Sequence, residues 1–162
     1  MKKLLIIVGS APCILEDLAK LPPIEADYMI IGLDAVDKYL GKAAYCATFH
    51  PAEIPKIIER RRLAGGNTDW KMVSHEPRPG VDIVMSHNGS SGSSAMLGIL
   101  TALNLGYDGI ICCGCPLEGP KRYEAFRNGW TVRMALIKDK VRSMSGWTMR
   151  LVGAPTEEWL NG

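Results

Sequence analysis

Apolar runs separated by short polar segments indicate that strands and helices alternate along the chain. The first run, 4–8, is continuous rather than alternating, which is typical of a strand covered on both faces in a parallel sheet. Six further segments have strand character. The predicted strands cover 4–8, 28–31, 44–49, 71–74, 81–85, 109–113 and 141–144.

Apolar residues at helical spacing occupy the gaps between those strands. Before Gly106, for example, Met96, Leu97, Leu100 and Leu103 repeat along one face of a helix. The other predicted helices cover 14–21, 34–40, 54–63, 123–140 and 145–151, with a docked turn at 155–159. The alternation predicts a single α/β domain over residues 1–162. Its expected architecture is Rossmann-like and doubly wound, with a mostly parallel sheet of about six to seven strands and helices on both faces.

The composition is that of an ordinary globular domain. Of the 162 residues, 47% are hydrophobic and 22% are charged, and the formal net charge is +2. This balance gives no reason to expect nucleic acid as a partner or attraction to an anionic membrane. The one dense basic run, 60–62, follows a helical pattern, and we interpret it as the solvated end of that helix, where cations suit the helix dipole.

Two further features bear on the cellular compartment. No segment reaches the roughly 18 apolar residues of a membrane span, and the apolar run after Lys3 is too short for a signal peptide. Cys112 and Cys113 lie inside an apolar run, as buried free thiols do. Cys112 and Cys115 form one Cys-x-x-Cys pair without a second ligand pair, so no metal site is predicted. This use of cysteine predicts a reduced, cytoplasmic protein.

The ligand site of such a sheet is predictable from topology. In an open parallel sheet, ligands bind beyond the carboxyl ends of the strands, near the point where the strand order reverses. The loops expected at that edge are also those richest in glycine, serine, proline and histidine: 9–13, 32–34, 50–51, 87–94 and 114–120. This agreement makes the edge the predicted functional site.

The loop 87–94 is the first candidate, because it follows a strand and precedes a clear helix. Small residues let backbone N–H groups approach a ligand, and the helix behind them adds partial positive charge, which suits a phosphate or a carboxylate. The loop matches neither the Walker pattern nor the Gly-x-Gly-x-x-Gly fingerprint. The alternative is a flexible turn with a serine cap. The ligand candidates here are Asn88, Ser90, Ser91, Gly92 and Ser93.

The remaining candidates stand after the other strands. Asp34 either accepts hydrogen bonds from sugar hydroxyls or caps a helix. His50 and His87 fall at strand ends and are the candidate general bases, although a lone histidine is also commonly structural. Tyr123, with Arg122 and Arg127, either closes over a bound anion or faces solvent. The other ligand candidates are Gly9, Ser10, Ala11, Pro12, Gly114, Cys115 and Pro116, of which the first four also fit an ordinary tight turn.

Taken together, these motifs resemble the bacterial sialyltransferases of glycosyltransferase family 42. The similar segments are 8–12, 18–22, 31–34, 39–42 and 49–51, then 91–94, 101–107 and 110–114. Related patterns occur in small phage-encoded proteins of unknown role and in the 6-hydroxymethylpterin diphosphokinase-like group. The most specific motifs are the Gly-x-x-Pro turn that starts at Gly9 and the Ser-Gly helix start at Ser91.

The resemblance implies a small-molecule ligand, the cytidine monophosphate part of an activated sugar. By position, 9–12 and Asp34 would line the nucleotide, 91–93 the phosphate or sugar carboxylate, and 114–116 the base or ribose. Two departures leave catalysis open. The family usually has an aspartate where this chain has Cys115-Pro116, and its catalytic histidine lies in a later insertion that this chain lacks. The implied function is therefore nucleotide or nucleotide-sugar binding on a transferase-like fold, including a reduced or inactive transferase.

Two other functions stay open. One is a non-enzymatic phage or accessory protein that keeps the fold as a scaffold. The other is a pterin or nucleotide diphosphokinase, which needs Mg²⁺ and carboxylate ligands, and no acidic cluster stands at the predicted ligand edge. Beyond a nucleotide-type ligand no cofactor is predicted, and assembly into a homo-oligomer is an open alternative.

Overall fold

One sheet of parallel strands organises the protein in the computed structural model, which describes residues 1–86 and 93–162. Within those residues the sheet has seven strands in the order β5-β4-β3-β2-β1-β6-β7, and every neighbouring pair is parallel. Ile6, in the interior strand β1, pairs with Tyr28 on one side and with Ile111 on the other. The strands are β1 (Leu4–Val8), β2 (Asp27–Ile31), β3 (Tyr45–Ala47), β4 (Lys71–Ser74), β5 (Ile83–Val84), β6 (Gly109–Cys113) and β7 (Val141–Ser143).

Helices connect the strands and cover the sheet. The α-helices are α1 (Ile14–Ala19), α2 (Ile54–Leu63), α3 (Ser93–Asn104), α4 (Glu124–Thr131), α5 (Met134–Ile137), α6 (Gly146–Val152) and α7 (Glu157–Asn161). Short 3₁₀ helices cover Leu33–Ala35, Pro51–Glu53 and Lys121–Tyr123. In the part of the chain that the structure describes, no helix combines the length and the apolar character needed to cross a membrane.

Two hydrophobic clusters lie on opposite faces of the sheet, because successive side chains of a strand point to opposite faces. Leu5 and Ile7 of β1 belong to the cluster that includes α3 and Trp130. Leu4, Ile6 and Val8 belong to the other cluster, which includes Ile57 of α2. The predicted Rossmann-like α/β fold, with helices on both faces, is confirmed. Its switch point lies between β1 and β6, because the strands added on the two sides of β1 come from different halves of the chain.

The predicted long helix over 123–140 is wrong. Two short helices, α4 and α5, replace it, separated at Val132 and Arg133. Arg133 leaves the helical conformation, with φ −103° and ψ 8°, and its backbone N–H turns to the Trp130 carbonyl. Its guanidinium donates to the Gly129 carbonyl oxygen at 2.8 Å, which is the acceptor that a continuous helix would give to the Arg133 N–H.

The predicted helix over 34–40, capped by Asp34, is also wrong. Only one 3₁₀ turn forms, Leu33–Ala35, and Gly32 stands at its N-cap with φ +78°. The Asp34 carboxylate caps nothing, because it accepts a hydrogen bond from Arg60 Nη1 at 3.2 Å. Ser145 does precede α6 as predicted, but its hydroxyl makes no cap and is donated to Asp17 instead.

The interpretation of 60–62 as the solvated end of the helix is wrong for Arg61. Arg61 is fully buried and donates to the carbonyl oxygens of Val36, Tyr39 and Gly41 and to Asn67. Arg60 pairs with Asp37 at 2.9 Å and with Asp34. Arg62 is exposed as expected, and the Arg60 side chain stays 39% exposed despite these ion pairs. The run therefore ties α2 to the segment that follows β2.

Candidate functional site

A cleft of about 670 Å³ lies at the carboxyl edge of the sheet, around the switch point between β1 and β6. It is built from the segments that follow β1, β2, β3 and β6, together with the first turn of α3. These are the loops that the sequence places at the ligand edge. The residues lining it are Gly9, Ser10, Ala11, Pro12, Ile31, Gly32, Leu33, Asp34, His50, Glu53, Ser93, Ser94, Ala95, Gly114, Cys115, Pro116, Leu117, Glu118 and Tyr123.

Backbone strain is concentrated at this cleft. In residues 1–86 and 93–162, the non-glycine residues with positive φ are Ser93, at +75°, and Leu117, at +47°. Both residues line the cleft, Ser93 at the start of α3 and Leu117 in the loop after β6. Such conformations cost on the order of 1–3 kcal/mol each and are typically retained at ligand sites and switches.

The turns after β1 and β6 meet at the floor of the cleft. The backbone N–H of Gly9 donates to the Cys113 carbonyl at 2.8 Å, and that of Ala11 donates to the Gly114 carbonyl at 3.2 Å. Gly9 is buried, whereas Ser10 and Pro12 are exposed to the cleft. The first turn therefore presents its next three residues to a ligand, while Gly9 itself is covered by the β6 loop.

The loop after β6 is held from outside by three elements. Its Gly114 N–H donates to the Asp17 carboxylate in α1, at 2.8 Å. Thr148 of α6 donates through its hydroxyl to the Cys115 carbonyl at 2.8 Å. Arg127 of α4 donates to the carbonyl of the strained Leu117 at 2.8 Å. Arg127, proposed from the sequence to close over an anion, thus braces the loop instead.

Three carboxylates and one imidazole stand on the described part of the cleft wall. Asp34 is paired with Arg60, and Glu118 is paired with Arg150 at 2.5 Å. His50 is exposed at the start of a 3₁₀ turn, in which the Glu53 N–H donates to the His50 carbonyl. No lysine or arginine belongs to the lining within the described ranges. Anion binding there would accordingly rest on backbone N–H groups and hydroxyls.

The environment of the cysteines beside the cleft favours the protonated thiol. Cys115 is buried, and its contact with Cys112, followed by burial, raises the pKa of its thiol well above the usual value. Burial likewise raises the pKa of Cys113. A thiol that stays protonated is a poor nucleophile and a poor metal ligand. No group of three or more potential metal ligands occurs in 1–86 or 93–162.

The structure brings most of the predicted site residues together. The turn 9–12, Asp34, His50, Ser93, 114–116 and Tyr123 all line the one cleft. The remaining predicted residues, His87, Asn88, Ser90, Ser91 and Gly92, lie outside the described residues.

Sequence reasoning missed Glu53 and the strained Leu117 as lining residues. Pro51, which follows the end of β3 and starts a 3₁₀ turn, was the available signal for Glu53, because that turn brings the residue back to the sheet edge. Leu117 lies in the predicted edge loop 114–120 but was not among the named candidates, and its strain has no sequence signal, since leucine rarely adopts positive φ.

Tyr123 sits at the rim of the cleft in a small aromatic group. Its ring lies 6.1 Å from that of Phe126, and the Arg122 guanidinium lies over it at 5.1 Å from the ring centre. The exposed Arg122 is therefore the cation nearest along the chain to the predicted ligand contact at Tyr123. The Tyr123 ring thus contributes an aromatic side chain to the described cleft lining, with Arg122 over one of its faces.

Comparison with known proteins shows the fold. The sequence matches no protein-family model and no curated protein. Two solved structures of the sialyltransferase CstII from Campylobacter jejuni resemble the chain, one in complex with cytidine-5'-monophosphate and one with CMP-3FNeuAc. Each has a TM-score of 0.59 and 14% sequence identity. The superpositions cover 96% of this chain and 86% and 87% of the respective transferase chains.

Proposed function

We propose that the cleft binds a nucleotide or nucleotide sugar of the CMP type. The observation that carries the proposal is a cleft of about 670 Å³ at the switch point, with both strained non-glycine residues of the described chain, Ser93 and Leu117, in its wall. This is the location where open parallel sheets bind nucleotides. The shared fold supports the choice of ligand, because the resembling transferase structures contain cytidine-5'-monophosphate and CMP-3FNeuAc.

The phosphate is assigned to the start of α3. This helix has 12 residues, and its first turn, Ser93 to Ala95, forms part of the cleft wall. The first N–H groups of a helix have no partner within the helix and carry partial positive charge, which suits a phosphate. The predicted contacts Ser91 and Gly92 come directly before this turn in the sequence.

The ribose and base are assigned to the other walls. Asp34 and Glu53 stand on the side of β2 and β3, and their carboxylates can accept hydrogen bonds from the ribose hydroxyls. On the opposite side, 114–116 and the ring of Tyr123 provide backbone polar groups and a surface for a planar base.

Transferase activity would need a group that moves protons. His50 is exposed to the cleft and is the histidine that the described lining contains. It is the residue that we assign as general base if the bound ligand is a sugar donor, since imidazole exchanges protons near neutral pH. A protein that binds CMP without consuming a CMP-sugar would be an inactive member of the same structural class.

The test is ligand binding to the wild type and to one blocked variant. At about one hundred times its dissociation constant, a ligand adds about 2.7 kcal/mol to the unfolding free energy, or roughly 5–10 °C in melting temperature for a protein of this size. We expect such a shift with CMP, smaller shifts with UMP and AMP, and loss of the CMP shift in Ser10→Tyr, because Ser10 is exposed within the cleft.

The matched control is Ala19→Tyr, which adds a similar side chain at an exposed position of α1 outside the cleft. It should keep the full CMP shift. If no nucleotide shifts the wild type, the proposal is wrong and the scaffold interpretation takes its place. If Ser10→Tyr binds CMP as the wild type does, the nucleotide site lies elsewhere.

A further inference from the structure

Asp17 is a buried carboxylate that the proposed binding function does not use directly. It lies in the first turn of α1 and is 2% exposed. Acidic residues in the first turn of a helix are ordinarily exposed, because burial of an ionised carboxylate costs several kcal/mol unless hydrogen bonds compensate it. A specific set of donors must therefore account for its position.

Those donors come from three separate parts of the chain. The Oδ2 atom of Asp17 accepts hydrogen bonds from the Gly114 N–H at 2.8 Å and from the Ser145 hydroxyl at 2.7 Å. The thiol of Cys13 lies 3.6 Å from the same oxygen. Gly114 is the first residue of the loop after β6, and Ser145 precedes α6. One carboxylate oxygen thus joins α1, the cleft loop and the start of α6.

Two of the donors to Asp17, Gly114 and Ser145, connect it to the ligand cleft. Gly114 itself lines it, and Ser145 leads into α6, where Thr148 holds the Cys115 carbonyl. Leu117, two residues further along the loop, is in a strained conformation that persists only if its surroundings fix it. Hydrogen bonds to a charged group are stronger than neutral ones, so the carboxylate is the strongest single anchor at the loop's first residue.

We propose that Asp17 is a positioning residue for the ligand cleft, an inference that rests on the proposed nucleotide function. Its carboxylate sets the β6 loop in the geometry that receives the ligand and does not itself touch the ligand, since Asp17 is absent from the residues of the described chain that line the cleft. Ordering the loop in advance lowers the entropy cost of binding.

The experiment measures CMP affinity by calorimetry, well below the melting temperature, together with amide hydrogen exchange over 113–118. We expect Asp17→Ala to weaken CMP binding by about tenfold, the size expected for loss of one strong hydrogen-bond anchor. Exchange over the loop should accelerate in the same variant without ligand. Asp17→Asn should restore most of the affinity, because its amide oxygen can still accept from Gly114 and Ser145.

The control is Tyr107→Phe, which removes a partly buried hydrogen bond at the opposite edge of the sheet. It should lower the melting temperature without altering CMP affinity or loop exchange. If Asp17→Ala lowers stability but leaves affinity and loop exchange at wild-type values, Asp17 is merely structural and the inference is wrong, while the proposed function stands.

A variant that does not fold and a wild type that binds no CMP each call for a second measurement. If Asp17→Ala does not fold, Ser145→Ala removes one of the three donors to Asp17, and we expect about a threefold loss of CMP affinity from it. Wild-type affinity in that variant would contradict the inference. If the wild type binds no CMP, the proposed function fails. Loop exchange then decides by itself whether Asp17 holds the loop.

Discussion

Gly9 and Gly114 lie so close together that a β-carbon on Gly9 would be 2.3 Å from the carbonyl oxygen of Gly114. It would also be 2.7 Å from the sulfur of Cys115. These glycines follow β1 and β6, the two strands that flank the switch point. The floor of the cleft therefore depends on the absence of a side chain at Gly9. The space that a side chain would need is occupied by the loop after β6.

We expect Gly9→Ala to destabilise the protein by about 3 kcal/mol, because the obstructing atom is backbone and cannot turn away as a side chain would. The melting temperature should fall by roughly 6–12 °C. Thermal unfolding followed by circular dichroism measures this. The matched control is Gly65→Ala, where φ is +87° and no atom lies within 4 Å of the added carbon. Backbone strain alone should cost about 1 kcal/mol there, and equal losses in the two variants would contradict the steric argument.

Arg61 and Arg62 are neighbours in sequence with opposite environments, which makes them a matched pair. Arg61 is fully buried, and its burial lowers the pKa of its guanidinium. Arg61→Ala should cost about 4 kcal/mol, because it leaves a cavity and strips several buried carbonyl oxygens of their donor. Arg62→Ala should change stability by less than about 0.5 kcal/mol, as is usual at exposed positions.

Urea unfolding of both arginine variants measures the difference. Arg61→Lys provides a second check, because a single ammonium cannot reproduce the planar fork that reaches the carbonyls of Val36 and Gly41 together. We expect it to remain at least about 2 kcal/mol less stable than the wild type. A lysine variant with wild-type stability would show that charge alone, without the fork geometry, is sufficient.

The sequence predicted the fold well because strands buried on both faces leave an unmistakable signal. The apolar runs predict β1 and β6 to the residue, and the alternation of strands and helices predicts a mostly parallel sheet of about six to seven strands, of which seven are observed. The candidate cleft followed from the same topology, since loops at strand ends must meet at one edge of the sheet. Most of its described lining residues lie in the loops that sheet topology and residue type together predict.

The errors have a common physical cause, which is side chains that hydrogen-bond to backbone carbonyl groups, near in sequence for Arg133 and distant for Arg61. Arg133 ends α4 by donating to the Gly129 carbonyl, and Arg61 is buried because carbonyls from the turn after β2 surround it. In the sequence, Asp17 is only an acidic residue near the start of the predicted helix 14–21. Its role depends on Gly114 and Ser145, which lie 97 and 128 residues away along the chain. Local sequence patterns carry no information about such partners.

Tyr107, at the edge of the sheet opposite the cleft, contributes to stability through its hydroxyl. Tyr107 is 2% exposed and donates its hydroxyl to Asp27 at 2.5 Å, near the amino ends of the strands. Burial, followed by this hydrogen bond, raises the pKa of Tyr107. Tyr107→Phe should cost about 1 kcal/mol, roughly 2–4 °C in melting temperature, because Asp27 is exposed and water can replace the lost donor. A loss above about 3 kcal/mol would mean that the hydroxyl organises more than this one contact.

Stability should fall in mild alkali because of the buried thiols. Burial raises the pKa of Cys46 from 9.0 to about 12. The folded state therefore favours the protonated thiol. This contribution is fully present below pH 9, the pKa in the unfolded chain, and is lost as pH rises toward 12. For Cys46 alone, the loss by about pH 10 is about 1.4 kcal/mol. Urea unfolding under reducing conditions at pH 8 and pH 10, roughly the window of this loss, measures it.

Cys46→Ala will be less stable at both pH values because of its cavity, but its decline between them should be smaller by about that amount. Cys13→Ala, at a half-buried thiol, should decline nearly as the wild type does. Equal declines in all three proteins would show that the Cys46 thiol does not control alkaline stability.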